Sequence, residues 1–272
     1  MYGEHFDAKE YLRDATLMED KFMNLCLNGN IPAVRAMLTR FLGRDITITK
    51  VETQKDLEGP GRSLRLDVWA EEGEFAIYNE EFQNESRGAE PRRLRYHCSM
   101  IDVNKLKPGA DFSALPECWV IFITRHDVLG HGKTMYTINR YIEGINERFN
   151  DGQHLIYVNC AAKDDGSEVW KVIHDVMCKN PDEMLITEIA EVVTRYKRTE
   201  EGEREVDSYF DYFLKKEAAK VAVESEARGK AEGLTEAVLK LLKAGAMTVE
   251  KIAETFGMSV SDVQAIAGRS EA

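Results

Sequence analysis

Apolar positions change period several times along the chain, and each change marks an element. Leu17, Phe22, Leu25 and Cys26 predict a first helix, with Thr16 as its cap and Glu19 three residues on, the arrangement of a capping box. Pro32 suits the first turn of a second helix over 32–41, which carries Val34, Met37, Leu38 and Phe41 on one side and ends at Gly43. Residues 46–51 alternate apolar and polar, as a strand with one wet face does. Two runs, 64–70 and 75–83, are rich in branched and aromatic residues. The charged turn Glu71-Glu72-Gly73-Glu74 separates them, so the pair predicts a hairpin. A polar loop over 84–91 leads to a helix over 92–102, and 56–62 is a loop containing Gly59-Pro60-Gly61. The continuous apolar run 119–124 predicts a strand in the middle of a sheet covered on both sides. Short strands over 135–140 and 155–160 follow, then helices over 169–177 and 181–197. The last has Met184, Leu185, Ile189, Val192, Val193 and Tyr196 at helical spacing.

The pattern changes at Thr199. A charged break over 200–205 precedes a long helix over 206–230, and 234–243 continues or restarts it. The tail predicts a helix-turn-helix: Ile252 and Ala253 on one helix, Gly257 at the turn, Ser259 capping the next, Val263 and Ile266 packing back. Its second helix offers Ser261, Asp262 and Gln264, with Arg269 near its end, a thin set of donors for bases and phosphates. A packing or dimerising pair fits it better than a DNA reader. The divisions expected are therefore 1–200, a charged helical linker over 201–232 and a small tail over 233–272.

Composition narrows the class. The chain has 272 residues, 43% hydrophobic and 31% charged, enough for one large domain with an appendage. Its cysteines (26, 98, 118, 160, 178) form no CxxC pair, which argues for thiols in a reducing compartment rather than disulfides or a zinc site. The opening residues lack the regions of a signal peptide, and the apolar run 118–123 is too short to span a bilayer, so a cytoplasmic protein without membrane partners is expected. The net charge of −12 means that nucleic-acid contact requires a local basic patch. The densest is Arg87, Arg92, Arg93 and Arg95, directly after the hairpin, with Lys105 and Lys107 beyond.

The candidate chemistry lies in the hairpin. Asp67 interrupts an apolar strand, where β-propensity disfavours it. Glu81 and Gln83 lie two apart and share a face with Asn79. Two carboxylates and an amide oxygen on one sheet face are hard oxygen ligands for Mg²⁺ or Mn²⁺. His126 and His131 have no third ligand nearby and read as ordinary loop residues.

The segments Arg65-Leu66-Asp67-Val68 and Tyr78-Asn79-Glu80-Glu81-Phe82-Gln83 closely resemble the core of the PD-(D/E)XK nuclease superfamily. The nearest branch is the transposase-like, recombination-promoting nuclease group, in which Gln commonly replaces the Lys of the motif. Tyr96, residues 115–127 and residues 155–159 resemble later landmarks of that group, and the likeness covers roughly residues 16–200. The resemblance implies an α/β, restriction-endonuclease-like core, a mixed central sheet flanked by helices, with a helical C-terminal extension. It also implies a metal-dependent DNA endonuclease acting in recombination or mobile-element processing. Asp67 and Glu81 would hold Mg²⁺ or Mn²⁺, and Gln83 would stand in the Lys position. Glu19, or alternatively Asp20, would add an acid from the first helix. Arg87, Arg92, Arg93 and Arg95 would meet DNA, and the C-terminal helices would make a homodimer. Position 80 departs from the pattern: Glu stands where an apolar residue is usual, costly if buried and unpaired. Pairing with Arg65 or a place at an opened sheet edge would relieve it. The rival reading keeps the fold as a non-catalytic DNA-binding or oligomerisation scaffold.

Overall fold

The computed structural model describes residues 7–59, 61–243 and 248–268; the side chains of 86, 87, 214, 216–232, 241, 243, 267 and 268 fall outside that description. The chain divides into two compact units, Met1–Asp207 and Ser208–Ala272.

The first unit is α/β, built on a mixed six-stranded sheet. Its strands are β1 (Lys50–Leu57), β2 (Leu64–Glu72), β3 (Ala76–Gln83), β4 (Glu117–Thr124), β5 (Met135–Ile138) and β8 (Gln153–Asn159), in spatial order β1-β2-β3-β4-β8-β5. β1, β2 and β3 form an antiparallel meander; β3, β4 and β8 run parallel; β5 closes the far edge antiparallel. β4 is central, and five of its last residues, Val120 to Thr124, are buried, as its unbroken apolar run requires. The tight hairpin between β2 and β3 turns at Gly73, whose φ of 57° is open to glycine at little cost.

Helix α4 (Pro91–Lys105) covers one face, over a core of Trp69, Ile77, Leu94, Ile101, Val120 and Phe122. On the other side α2 (Asp20–Leu27) and α3 (Ile31–Leu42) pack on β1 and β2, α5 (Glu168–Met177) packs on β8 and α3, and α6 (Thr187–Arg198) packs on α2 and α3. A short α1 (Ala8–Asp14) leans on α6. A two-stranded ribbon, β6 (Tyr141–Ile142) with β7 (Glu147–Arg148), projects between β5 and β8 and has no counterpart in the sequence pattern.

Several expectations shift. The helix expected after Thr16 begins at Asp20 and is the second of the chain, after α1; Leu17 is buried ahead of it and Leu25 is only half-buried. The wet-faced strand starts at Lys50 and runs to Leu57, because its partner β2 begins pairing at Leu64 opposite Leu57. Residues 46–49 lead in without strand geometry, although Ile46 and Ile48 are buried. The helix expected over 181–197 is broken: a 3₁₀ turn spans Pro181–Glu183 and α6 starts at Thr187. The cause is Asp175, whose buried carboxylate accepts the backbone N–H groups of Leu185 and Ile186 at 2.8 Å and holds them out of the helix.

Helix α7 (Glu200–Lys243) passes through the stretch expected to be a charged break, and its acids Glu200, Glu201 and Glu203 occupy a first turn where they suit the helix dipole. In the second unit, α8 (Val249–Phe256) and α9 (Val260–Gly268) bury Ile252, Ala253 and Val263 against Val238. Thr248 caps α8, Gly257 takes a left-handed turn at φ 64°, and Ser259 Oγ accepts the Asp262 N–H. Arg269 lies outside the described residues. No helix among the described residues is long and apolar enough to cross a membrane.

Candidate active site

Asp67 stands opposite Glu81 where the hairpin opens. Pairing of β2 with β3 runs from Glu72 and Ala76 as far as Val68 and Glu80, then stops. Beyond that point side chains replace the ladder. The Asp67 N–H donates to Glu81 Oε1 at 3.0 Å, and the Phe82 N–H donates to Asp67 Oδ2 at 2.9 Å. The two carboxyl groups are thereby drawn together at the end of the meander and held by the backbone of the strands that carry them.

Glu81 is wholly buried. Its Oε1 also accepts from Asn79 Nδ2 at 2.8 Å, whereas Oε2 is buried and has no hydrogen-bond partner among the described residues. The positive charge nearest that orphan is Arg93 Nη2, at 3.5 Å. Burial raises the pKa of Glu81, and the Asp67 charge raises it further. Asp67 is also raised, first by burial and then by the charge of Asp20, against the lowering effect of the Phe82 N–H. The pair is short of positive charge.

A chain of polar contacts runs from this pair across α4. Asn79 Nδ2 also donates to the Val68 carbonyl at 3.2 Å, and Asn79 Oδ1 lies 3.0 Å from His97 Nδ1. An amide oxygen only accepts, so Nδ1 carries the proton. Arg93 Nε then donates to His97 Nε2 at 3.3 Å. Burial, with the Arg93 charge beside it, pushes the His97 pKa down to about 3, so the ring is neutral and in the one tautomer that both neighbours require. Arg93 Nη1 donates to Gln83 Oε1 at 3.2 Å and to the Gly88 carbonyl at 2.9 Å. A methyl group at Gly88 would collide with Gln83 Oε1, so that glycine lets the 3₁₀ turn over Ser86–Ala89 fold against the end of β3.

The structure thus brings Asp67, Glu81 and Gln83 to one face, together with Arg93. It disperses the rest of the basic cluster: Arg92 and Arg95 point to solvent, and the Arg87 side chain lies outside the described residues. Tyr96 is half-buried on the core and bonds the Arg62 carbonyl. Glu19 turns back to accept the Thr16 N–H at 3.2 Å. It is Asp20 whose charge acts on Asp67, and Gln54 Nε2 donates to Asp20 Oδ1 at 2.7 Å. Gln54 holds a left-handed backbone, φ 52°, opposite the opened end of β2.

Glu80 meets neither expectation. Arg65 pairs with Asp56, and Glu80 lies within the sheet between Val68 and Ile121, buried, with both oxygens unpartnered among the described residues. Burial pushes its pKa up to about 8, so at neutral pH it is mostly the uncharged acid. His126 and His131 are exposed, as expected of loop residues.

His97 and Asn79 are the members of the site that the motif alone does not identify as working parts. The signal for His97 is its spacing: it follows Arg93 by one helical turn and therefore shares its face. Nothing local marks Gln54 or Gly88.

The donor set suits a hard divalent cation by type, with two facing carboxyls and an orphaned Glu81 oxygen. It is sparse in number: among the described residues no group of three His, Cys, Asp or Glu side chains is disposed to hold a metal ion. An ion bound by Asp67 and Glu81 would keep much of its shell as water, as Mg²⁺ commonly does. No family model, no curated protein and no solved structure matched the chain.

Proposed function

We propose that the chain is a metal-dependent DNA endonuclease of the transposase-like PD-(D/E)XK type, hydrolysing phosphodiester bonds in recombination or mobile-element processing. The observation that carries this reading is the meeting of Asp67 and Glu81 across the opened end of the hairpin, with Gln83 next on the same face. A bound Mg²⁺ or Mn²⁺ supplies a water of lowered pKa and stabilises charge on the phosphoryl oxygens. Asp67 and Glu81 would hold it, and its charge would answer the shortage that raises both carboxyls. Gln83 cannot serve as a base, but its amide can hydrogen-bond the water or a phosphate oxygen, and Arg93 fixes the amide through Oε1. Arg92 and Arg95, exposed on α4, would meet the backbone of a duplex.

The test is nicking of supercoiled plasmid by wild type and Asp67→Ala, each with Mg²⁺, Mn²⁺ or EDTA at low salt. Nicking by wild type that EDTA and Asp67→Ala each abolish supports the reading. A second reading, a DNA-binding scaffold without catalysis, is favoured by one contact: Arg93 already sits against Glu81 and Gln83. Binding without nicking by both proteins selects it.

A further inference from the structure

We propose that Arg93 is the phosphate-binding group of this site, supplying from helix α4 the positive charge that the neutral Gln83 does not. The inference rests on the nucleic-acid reading of the site, but not on its catalysis.

Arg93 differs from the other arginines of its helix in how its donors are used. A guanidinium has five N–H donors in a fixed fork. In Arg93, Nε is held by His97, and Nη1 is divided between Gln83 Oε1 and the Gly88 carbonyl. Nη2 makes no hydrogen bond among the described residues; its nearest anion, Glu81 Oε2, is 3.5 Å away, beyond a good hydrogen bond. The group is therefore locked in place by three contacts with one nitrogen left to give.

The guanidinium carrying that nitrogen is not sealed in the core. The Arg93 side chain is 38% exposed, whereas its counterion Glu81 is fully buried. The ring of Phe122 lies below, its centroid 6.0 Å from the guanidinium carbon. An arginine held only as a counterion would spend Nη2 on Glu81 at hydrogen-bonding distance. This one instead has a rigid stem, a partly exposed side chain and a donor beside the carboxyl pair that no hydrogen bond uses among the described residues, the features that suit a phosphate oxygen. His97 contributes the rigidity: as a neutral acceptor it holds Nε without competing for the anion.

The test uses the full chain and a fluorescein-labelled DNA duplex, with anisotropy read in EDTA over a series of salt concentrations, for wild type, Arg93→Gln and Arg93→Lys. Thermal melting in the same buffer monitors the fold. Arg93→Gln is expected to weaken binding by about tenfold and to reduce the slope of log K against log salt by about one. Arg93→Lys, which keeps the charge but not the fork, should restore the slope and only part of the affinity. Arg93→Gln with unchanged affinity and slope overturns the proposal, even if its melting temperature falls, because that is the behaviour of a buried counterion. Wild type that does not bind the duplex overturns it as well. Binding that depends on Arg93, in a protein that fails to nick plasmid with Mg²⁺, upholds the phosphate site and removes the nuclease reading.

Discussion

Glu80 and Glu81 are adjacent in sequence and meet opposite sides of the sheet, so the same burial has different consequences for each. Glu81 finds Asn79, the Asp67 N–H and Arg93; Glu80 finds no partner among the described residues. For Glu80 the folded pKa of about 8 exceeds the unfolded value, so the folded state holds the extra proton. Stability is then greatest below the ordinary carboxyl range and falls by about 1.4 kcal/mol per pH unit as pH rises to about 8. Glu80→Gln removes the charge but keeps the shape. Urea unfolding at pH 5 and pH 8 is expected to show the variant more stable than wild type at pH 8, with the gap closing at pH 5; an equal difference at both would refute an uncompensated acid. Gly88 poses a different test. Gly88→Ala places a methyl where Gln83 Oε1 lies, and the amide can move. Melting should change little while nicking falls by roughly 10–100-fold, since displacement of a positioned group costs rate more than stability.

At the scale of elements, the break before α6 shows one side chain overriding a helical pattern. Met184, Leu185 and Ile189 have the spacing of a helix, yet Leu185 ends up exposed at a bend, between Met184 and Ile186 with extended backbone. The buried Asp175 carboxylate accepts two backbone N–H groups there and also faces His174 Nδ1 at 2.8 Å. Asp175→Ala leaves both donors without that acceptor and should destabilise the first unit by about 3 kcal/mol, read as a lower urea midpoint. A shift under about 0.5 kcal/mol would mean that local propensity, not Asp175, stops the helix. The opening between β2 and β3 follows the same logic. Carboxylates of Asp67 and Glu81 take N–H groups that strand pairing would otherwise take, so the strands part where the chemistry is proposed.

At the scale of the whole molecule, a net charge of −12 means that the proposed binding of nucleic acid would run through local patches and weaken in salt. Arg92→Gln with Arg95→Gln should therefore weaken duplex binding by anisotropy and flatten its salt dependence; an unaltered slope would place the duplex elsewhere. The two units make a second prediction. If the C-terminal helices join two copies, sedimentation of the full chain gives a dimer and of residues 1–207 a folded monomer. A dimer in both would assign association to the first unit instead.

What the sequence alone determined is what short-range periodicity controls. The hairpin, the central strand β4, helices α3 and α5, the turn at Gly257 and the cap at Ser259 follow from alternation, apolar runs and turn residues acting within a few positions. The facing of Asp67 and Glu81 follows too, because a hairpin fixes which residues oppose. What only the tertiary structure decided are pairings between distant groups: Arg93 turned inward while Arg92 and Arg95 face water, His97 locked neutral between Arg93 and Asn79, Glu80 left unpartnered, and Asp175 cutting a helix ten residues on. These depend on which donors and acceptors packing brings together in a dry interior, where an unmet hydrogen bond costs more than a local preference, and no pattern along the chain encodes that competition.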